Sequence, residues 1–142
     1  MQHVFICGAK SIGRYGGYET FVDMLAVHFE QYEDVQLHIL CKANGEGCMD
    51  ERTLPGAVST GSNTFSYHGA HCIKLPVPNL GPASAIWYDV QAVSTCLQYC
   101  AQNHIEAPVL YILTCRIGPF IGGLKRRLKK LGGQLQLNPE VL

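Results

Sequence analysis

His3-Val-Phe-Ile-Cys-Gly-Ala-Lys-Ser-Ile-Gly-Arg-Tyr-Gly-Gly-Tyr-Glu-Thr-Phe-Val-Asp-Met-Leu-Ala-Val-His-Phe29 changes its periodicity halfway along. Val4 to Cys7 is a continuous apolar run, too short for a helix and followed by Gly8, so it reads as a strand buried on both faces. From Tyr18 onward Phe21, Leu25 and Phe29 recur every four residues with Val22 beside them, the stripe of an amphipathic helix. The glycine-rich loop between them brings backbone N–H groups and the positive end of a helix dipole to one spot, an arrangement suited to a phosphate or another anion. Gly16 and Gly17 stand where that helix should begin, and without side chains they let a ligand approach the backbone.

Two well-known phosphate loops do not fit. Gly8-x4-Gly13 has P-loop spacing, but Arg14-Tyr15 replaces the Lys-Ser/Thr that would meet phosphates and Mg²⁺. A dinucleotide G-x-G-x-x-G is also missing, because Ala9-Lys10 follow Gly8. A tight strand-to-helix turn without a ligand remains the alternative.

Outward from this unit, Val35 to Cys41 supplies a second strand and completes a βαβ unit, whose strands are expected to be parallel. Lys42 to Thr60, with Asn44-Gly, Glu46-Gly and Pro55-Gly, reads as a loop. Thr64–Tyr67 and Cys72–Leu75 read as two short strands around His68-Gly69-Ala70, either a hairpin or successive sheet edges. After Pro76 to Pro82, Ile86, Val90, Val93, Leu97 and Ala101 keep a helical period from Ala83 to about His104. Pro108 to Leu113 is another apolar strand, ending in a loop that carries Arg116. If the first strand and this one are parallel, both loops leave the same carboxyl edge of the sheet, and Arg116 faces the anion of the first loop. A helix from Phe120 to Leu131 and a strand over Gln134–Leu137 complete an open α/β parallel sheet with helices on both faces.

The 142 residues suit one domain able to fold alone, and no apolar run is long enough to cross a bilayer. Met1-Gln2-His3 leads straight into the first strand without a signal-peptide pattern. The seven cysteines are odd in number and scattered, so they are expected to be reduced core residues of a cytoplasmic protein. Cys96 and Cys100, one helical turn apart, read as small buried hydrophobes, and His68-x-x-His71-Cys72 lacks a fourth ligand, so no metal is expected.

Zero net charge hides an asymmetry: six of the eleven Lys and Arg residues fall between Arg116 and Lys130, and no acid occurs between Glu106 and Glu140. Lys125, Arg126, Arg127, Lys129 and Lys130 surround the apolar face of the third helix, a pattern that suits an anionic membrane surface. Complementing the helix dipole ahead of Gly132 explains the same cations equally well. Without interleaved aromatics the stretch offers no base-stacking platform, so nucleic acid is not an expected partner.

Four runs carry a resemblance: Lys10-Ser-Ile-Gly with Tyr15-Gly-Gly-Tyr-Glu-Thr-Phe-Val22; Pro78-Asn-Leu-Gly-Pro-Ala83 with Tyr88-Asp89; Tyr111-Ile-Leu-Thr-Cys-Arg-Ile-Gly-Pro-Phe120; and Leu131-Gly-Gly133 with Asn138-Pro139. In this order the chain resembles the N-terminal domain of bacterial rhamnosyltransferase-type family 4 glycosyltransferases. The resemblance implies a Rossmann-like, acceptor-side half of a two-domain GT-B enzyme, inactive without a C-terminal donor-binding domain that the family usually continues into. It implies transfer of a sugar, rhamnose first, from a nucleotide-diphosphate donor to a lipid-linked or polysaccharide acceptor. No metal or other cofactor is implied, and the enzyme would be cytoplasmic or peripheral on the inner face of the plasma membrane.

Carried over by motif, Gly16 and Gly17 would face the donor phosphates and Arg116 would line the same cleft. Glu19 and Asp89 are the carboxylates nearest the matching motifs and are candidates to orient or deprotonate an acceptor hydroxyl. A helix N-terminal charge effect accounts equally for Glu19, and a solvent-exposed helix position is expected for Asp89. Members of the family often have a bulkier residue or Pro where Gly13 stands. Two other function classes stay open: a stand-alone nucleotide or phosphosugar-binding module, and a membrane-surface adaptor using Lys125 to Lys130.

Overall fold

In the computed structural model, which describes residues 1–13, 17–45, 47–113 and 121–137, the apolar run after His3 forms the centre of a sheet. Strand β1 (Gln2–Cys7) pairs in parallel with β2 (Val35–Lys42) on one side and β6 (Val109–Ile112) on the other. Successive side chains of β1 point to opposite faces, which is why a continuous apolar run was needed there. Val4 and Ile6 join the core on the face covered by α1 (Gly17–Phe29), with Leu37, Ile39 and Cys41 of β2. Phe5 and Cys7 join the core on the other face, with Leu40, Leu110 and Ile112. That second face is covered by α2 (Ala83–Gln102) and α3 (Ile121–Lys130).

Seven strands lie in the order β3-β4-β5-β2-β1-β6-β7. Strands β5 (Ala70–Leu75) and β7 (Gln134–Leu137) extend the parallel set, whereas β3 (Val58–Ser59) and β4 (Thr64–Tyr67) run antiparallel at one edge. The sheet is therefore mixed and mostly parallel, and Thr64–Leu75 is a hairpin. His68 and Gly69 make its turn at φ of 49° and 78°, left-handed values that two-residue hairpin loops require. The stretch from Lys42 to Thr60 contains more than loop, since Glu51–Thr53 forms a 3-10 turn capped by the Asp50 carboxylate.

Both long helices bury a stripe rotated from the expected one. Val22 and Ala26 are the buried residues of α1, Leu25 and Phe29 are half-buried and Phe21 is exposed. In α2 the buried side is Tyr88, Asp89, Ala92, Val93, Cys96, Leu97 and Cys100, which leaves Ile86 and Ala101 exposed. Cysteines and alanines fill the seam against the sheet, where small side chains let the helix approach closely, so counting only large aliphatics misplaced the face. The six described cysteines are free, and five are buried as expected; Cys115 lies outside the described residues.

Candidate functional site

The chain leaves β1 through α1 toward β2 on one side, then returns from β5 through α2 to β6 on the other. The carboxyl ends of β1 and β6 thus lie side by side at the point where the winding reverses, with Cys7 opposite Ile112 and the Leu113 N–H donating to the Cys7 carbonyl at 2.9 Å. In open α/β sheets that is where a crevice forms for ligands. The expected common edge for the two loops is present up to Leu113, while Gly16 and Arg116 lie outside the described residues.

The loop after β1 is built tightly. Gly8 turns the chain out of the strand at φ 111°, a conformation open to glycine at little cost. Ala9, Ser11 and Ile12 are buried, the Ile12 N–H points at Met49 Sδ at 3.3 Å, and the Lys10 carbonyl accepts from the Lys42 N–H at 2.9 Å. Tyr88, fully buried on α2, directs its hydroxyl at the carbonyl oxygens of Ala9 and Leu40. Burial holds its phenol well above the ordinary tyrosine range, so it stays protonated as a donor. Gly13 closes the loop at φ 73°, and a β-carbon there would stand 3.1 Å from Leu54 Cδ1 and 3.3 Å from Asp23 Oδ2. A bulkier residue or Pro at this position would force a different backbone path.

Within this packed loop the Ser11 hydroxyl is buried and has no hydrogen-bond partner among the described residues. A buried hydroxyl without a partner is costly unless something else satisfies it. Gly17, first residue of α1, is exposed, and a β-carbon on it would meet nothing within 4 Å among the described residues. Among the described residues nothing stands against the start of α1, whose first backbone N–H groups have no partner within the helix itself.

The other candidates separate. Glu19 stands half-buried in the first turn of α1, where a carboxylate also complements the dipole. Asp89 is not the solvent-exposed helix position expected from sequence: it is 2% exposed, inside the buried stripe of α2. The two carboxylates sit near the starts of helices that cover opposite faces of the sheet. Lys125, Arg126, Arg127, Lys129 and Lys130 are all exposed on α3, and Leu128 of the same helix is buried against α2. Among the described residues no group of His, Cys, Asp and Glu is arranged to hold a metal ion; His68 instead pairs with Glu30 at 3.1 Å and His71 with His38 at 2.9 Å.

A cavity of about 160 Å³ lined by Met1, Glu30, Glu33 and His68 opens at the opposite, amino end of the sheet. It lacks a helix start and the winding reversal, which makes the carboxyl edge the better candidate site. Sequence reasoning missed Ser11 and Tyr88 as parts of this site. Both stand inside the quoted motifs, but nothing in their spacing shows a buried hydroxyl.

No curated protein matches the chain. Residues 1–142 match the family described as Domain of unknown function (DUF1972), a domain typically found at the N-terminus of glycosyltransferases. The fold is a Rossmann-like, mostly parallel α/β sheet, and the protein is a member of the DUF1972 family.

Proposed function

We propose that this chain is the acceptor-side lobe of a GT-B glycosyltransferase, moving a sugar, rhamnose first, from a nucleotide-diphosphate donor to a lipid-linked or polysaccharide acceptor. The observation that supports it most is the start of α1 at Gly17, uncovered among the described residues and following the strand that borders the winding reversal between β1 and β6. Departure of the diphosphate builds negative charge, and preorganised N–H donors at such a helix start stabilise it without moving. In this reading Gly16 and Arg116, which lie outside the described residues, act on the donor phosphates as the resemblance implies, and Ser11 supplies a hydroxyl from the loop after β1. Glu19, half-buried at the rim, orients or deprotonates the acceptor hydroxyl. Asp89, enclosed beside Tyr88, supports the rim from below.

The chain would bring the acceptor, and the C-terminal domain that the family resemblance implies would hold most of the donor. The test is a transfer assay on this domain joined to its donor-binding domain, with a rhamnose nucleotide-diphosphate donor. Arg116→Ala is expected to lower kcat about a hundredfold, the effect of losing one charge-stabilising donor. Gly17→Val is expected to weaken kcat/KM with folding intact. Full transfer activity in both variants, or robust transfer by residues 1–142 alone, would overturn the reading.

A further inference from the structure

Charge is divided between the two faces of the sheet. Five of the eleven Asp and Glu residues lie between Glu19 and Asp34, and no Lys or Arg occurs between residues 15 and 41. That segment is α1 with its flanks, on one face. Lys125, Arg126, Arg127, Lys129 and Lys130 are exposed on α3, which lies on the other face. Each helix follows one parallel strand and leads into the next, so both run from the carboxyl edge of the sheet and end at its amino edge.

The end of α1 is a negative corner. A helix C-terminus carries partial negative charge and favours cations, yet α1 is followed by Glu30, Glu33 and Asp34, all exposed. Glu30 and Glu33 line the amino-end cavity of about 160 Å³ together with Phe29, Tyr32 and His68. The rings of Phe29 and Tyr32 stand 5.7 Å apart, so a cation entering there meets aromatic faces as well as carboxylates. Val27, one turn before Glu30, and Tyr32 are 50% and 42% exposed, and such surface suits the aliphatic stems of Lys and Arg. Among the described residues no Lys or Arg pairs with these three acids, and no α3 cation meets a carboxylate. Arg127 turns instead to Ser94, donating from Nη1 to its Oγ at 3.3 Å.

We propose that the chain associates head to tail with further copies of itself, the α3 cations of one copy seated on the acidic end of α1 of the next, with an α3 lysine entering the amino-end cavity. Opposite charge on one chain of zero net charge makes a second copy the complementary partner. The two patches are different surfaces on opposite faces, so the contact is heterologous: it does not close in a pair, and more copies can add. It does not depend on sugar transfer, and because both patches lie toward the amino edge it leaves the carboxyl edge open.

The experiment follows the full chain by sedimentation velocity and light scattering as its concentration rises in low salt. The average mass is expected to climb past that of a dimer, and added salt should return the chain to monomer. Glu30→Gln with Glu33→Gln neutralises the two carboxylates of the cavity, and Lys129→Gln with Lys130→Gln neutralises the end of α3. Each pair alone should weaken association roughly tenfold or more. All four positions are exposed, and circular dichroism checks that both variants fold. Mixed in equal amounts, the two variants should associate again and stop at a dimer, because each keeps the patch that the other lacks. The proposal is overturned if the parent chain stays monomeric up to about 1 mM, stops at a dimer, or associates equally in high salt. Loss in only one of the two variants, or no recovery on mixing, would overturn it as well.

Discussion

The Tyr88 hydroxyl lies 2.5 Å from the Ala9 carbonyl oxygen and 3.1 Å from that of Leu40, so one side chain of α2 ties the loop after β1 to the second strand. Tyr88→Phe keeps the ring and removes the donor, leaving two buried carbonyls with less company. A loss of about 1–2 kcal/mol in chemical denaturation is expected, with faster amide hydrogen exchange over residues 8–13. Unchanged exchange there would mean that the loop is held by other contacts.

Gly13 and Gly17 flank the same loop but should respond oppositely to alanine. Gly13 has a left-handed backbone and filled surroundings, so Gly13→Ala is expected to cost about 1 kcal/mol or more. Gly17 has open space, and Gly17→Ala should leave the melting temperature unchanged or raise it slightly. Thermal melts of the two variants check this. Equal destabilisation would contradict the described loop.

His38 stacks on Phe5 with ring centroids 4.2 Å apart, and its two ring nitrogens meet His3 Nδ1 at 2.8 Å and His71 Nδ1 at 2.9 Å. Burial first, then repulsion from His71 and His3, pushes its pKa down to about 3. The folded protein keeps His38 neutral while the unfolded chain takes up a proton below pH 6.5, so stability is full above that value. It falls as pH drops toward about 3, by about 1.4 kcal/mol per pH unit for this group. Urea melts between pH 6 and 4 should approach this slope, and His38→Phe should flatten it. A variant with the slope of the parent protein would remove His38 as its source.

Burial holds the Cys41 and Cys96 thiols well above their usual range and pushes Cys72 up to about 12 and Cys100 up to about 11. These four are expected to resist iodoacetamide in the native protein at neutral pH and to react once it is unfolded. Half-buried Cys48 should react first among the described cysteines. Native labelling of Cys96, read by mass spectrometry, would contradict its packed position.

Much of this was legible in the sequence because periodicity reports burial. The runs at Val4 to Cys7 and Pro108 to Leu113 are apolar on both sides, and both are inner strands. The shift to a four-residue period after Tyr18 falls within a residue of where α1 begins. Asp89 was misplaced because a carboxylate reads as solvent-facing unless its partners across the fold are known. For Thr64–Tyr67 the sequence left a hairpin and successive sheet edges equally open, since alternation is the same for either strand direction, and the structure has the hairpin. The Ser11 hydroxyl and the Arg127–Ser94 contact depend on residues far apart in the chain, and no local pattern encodes them.

The central claim is that the carboxyl edge between β1 and β6 receives a diphosphate at the start of α1. Titrating the ¹⁵N-labelled chain with a nucleoside diphosphate, with affinity on the order of millimolar expected for one lobe alone, should shift the amides of residues 8–13, 17–19 and 113 together. Shifts confined to the amino-end cavity around Glu30 and His68, or none at saturating ligand, would contradict the account.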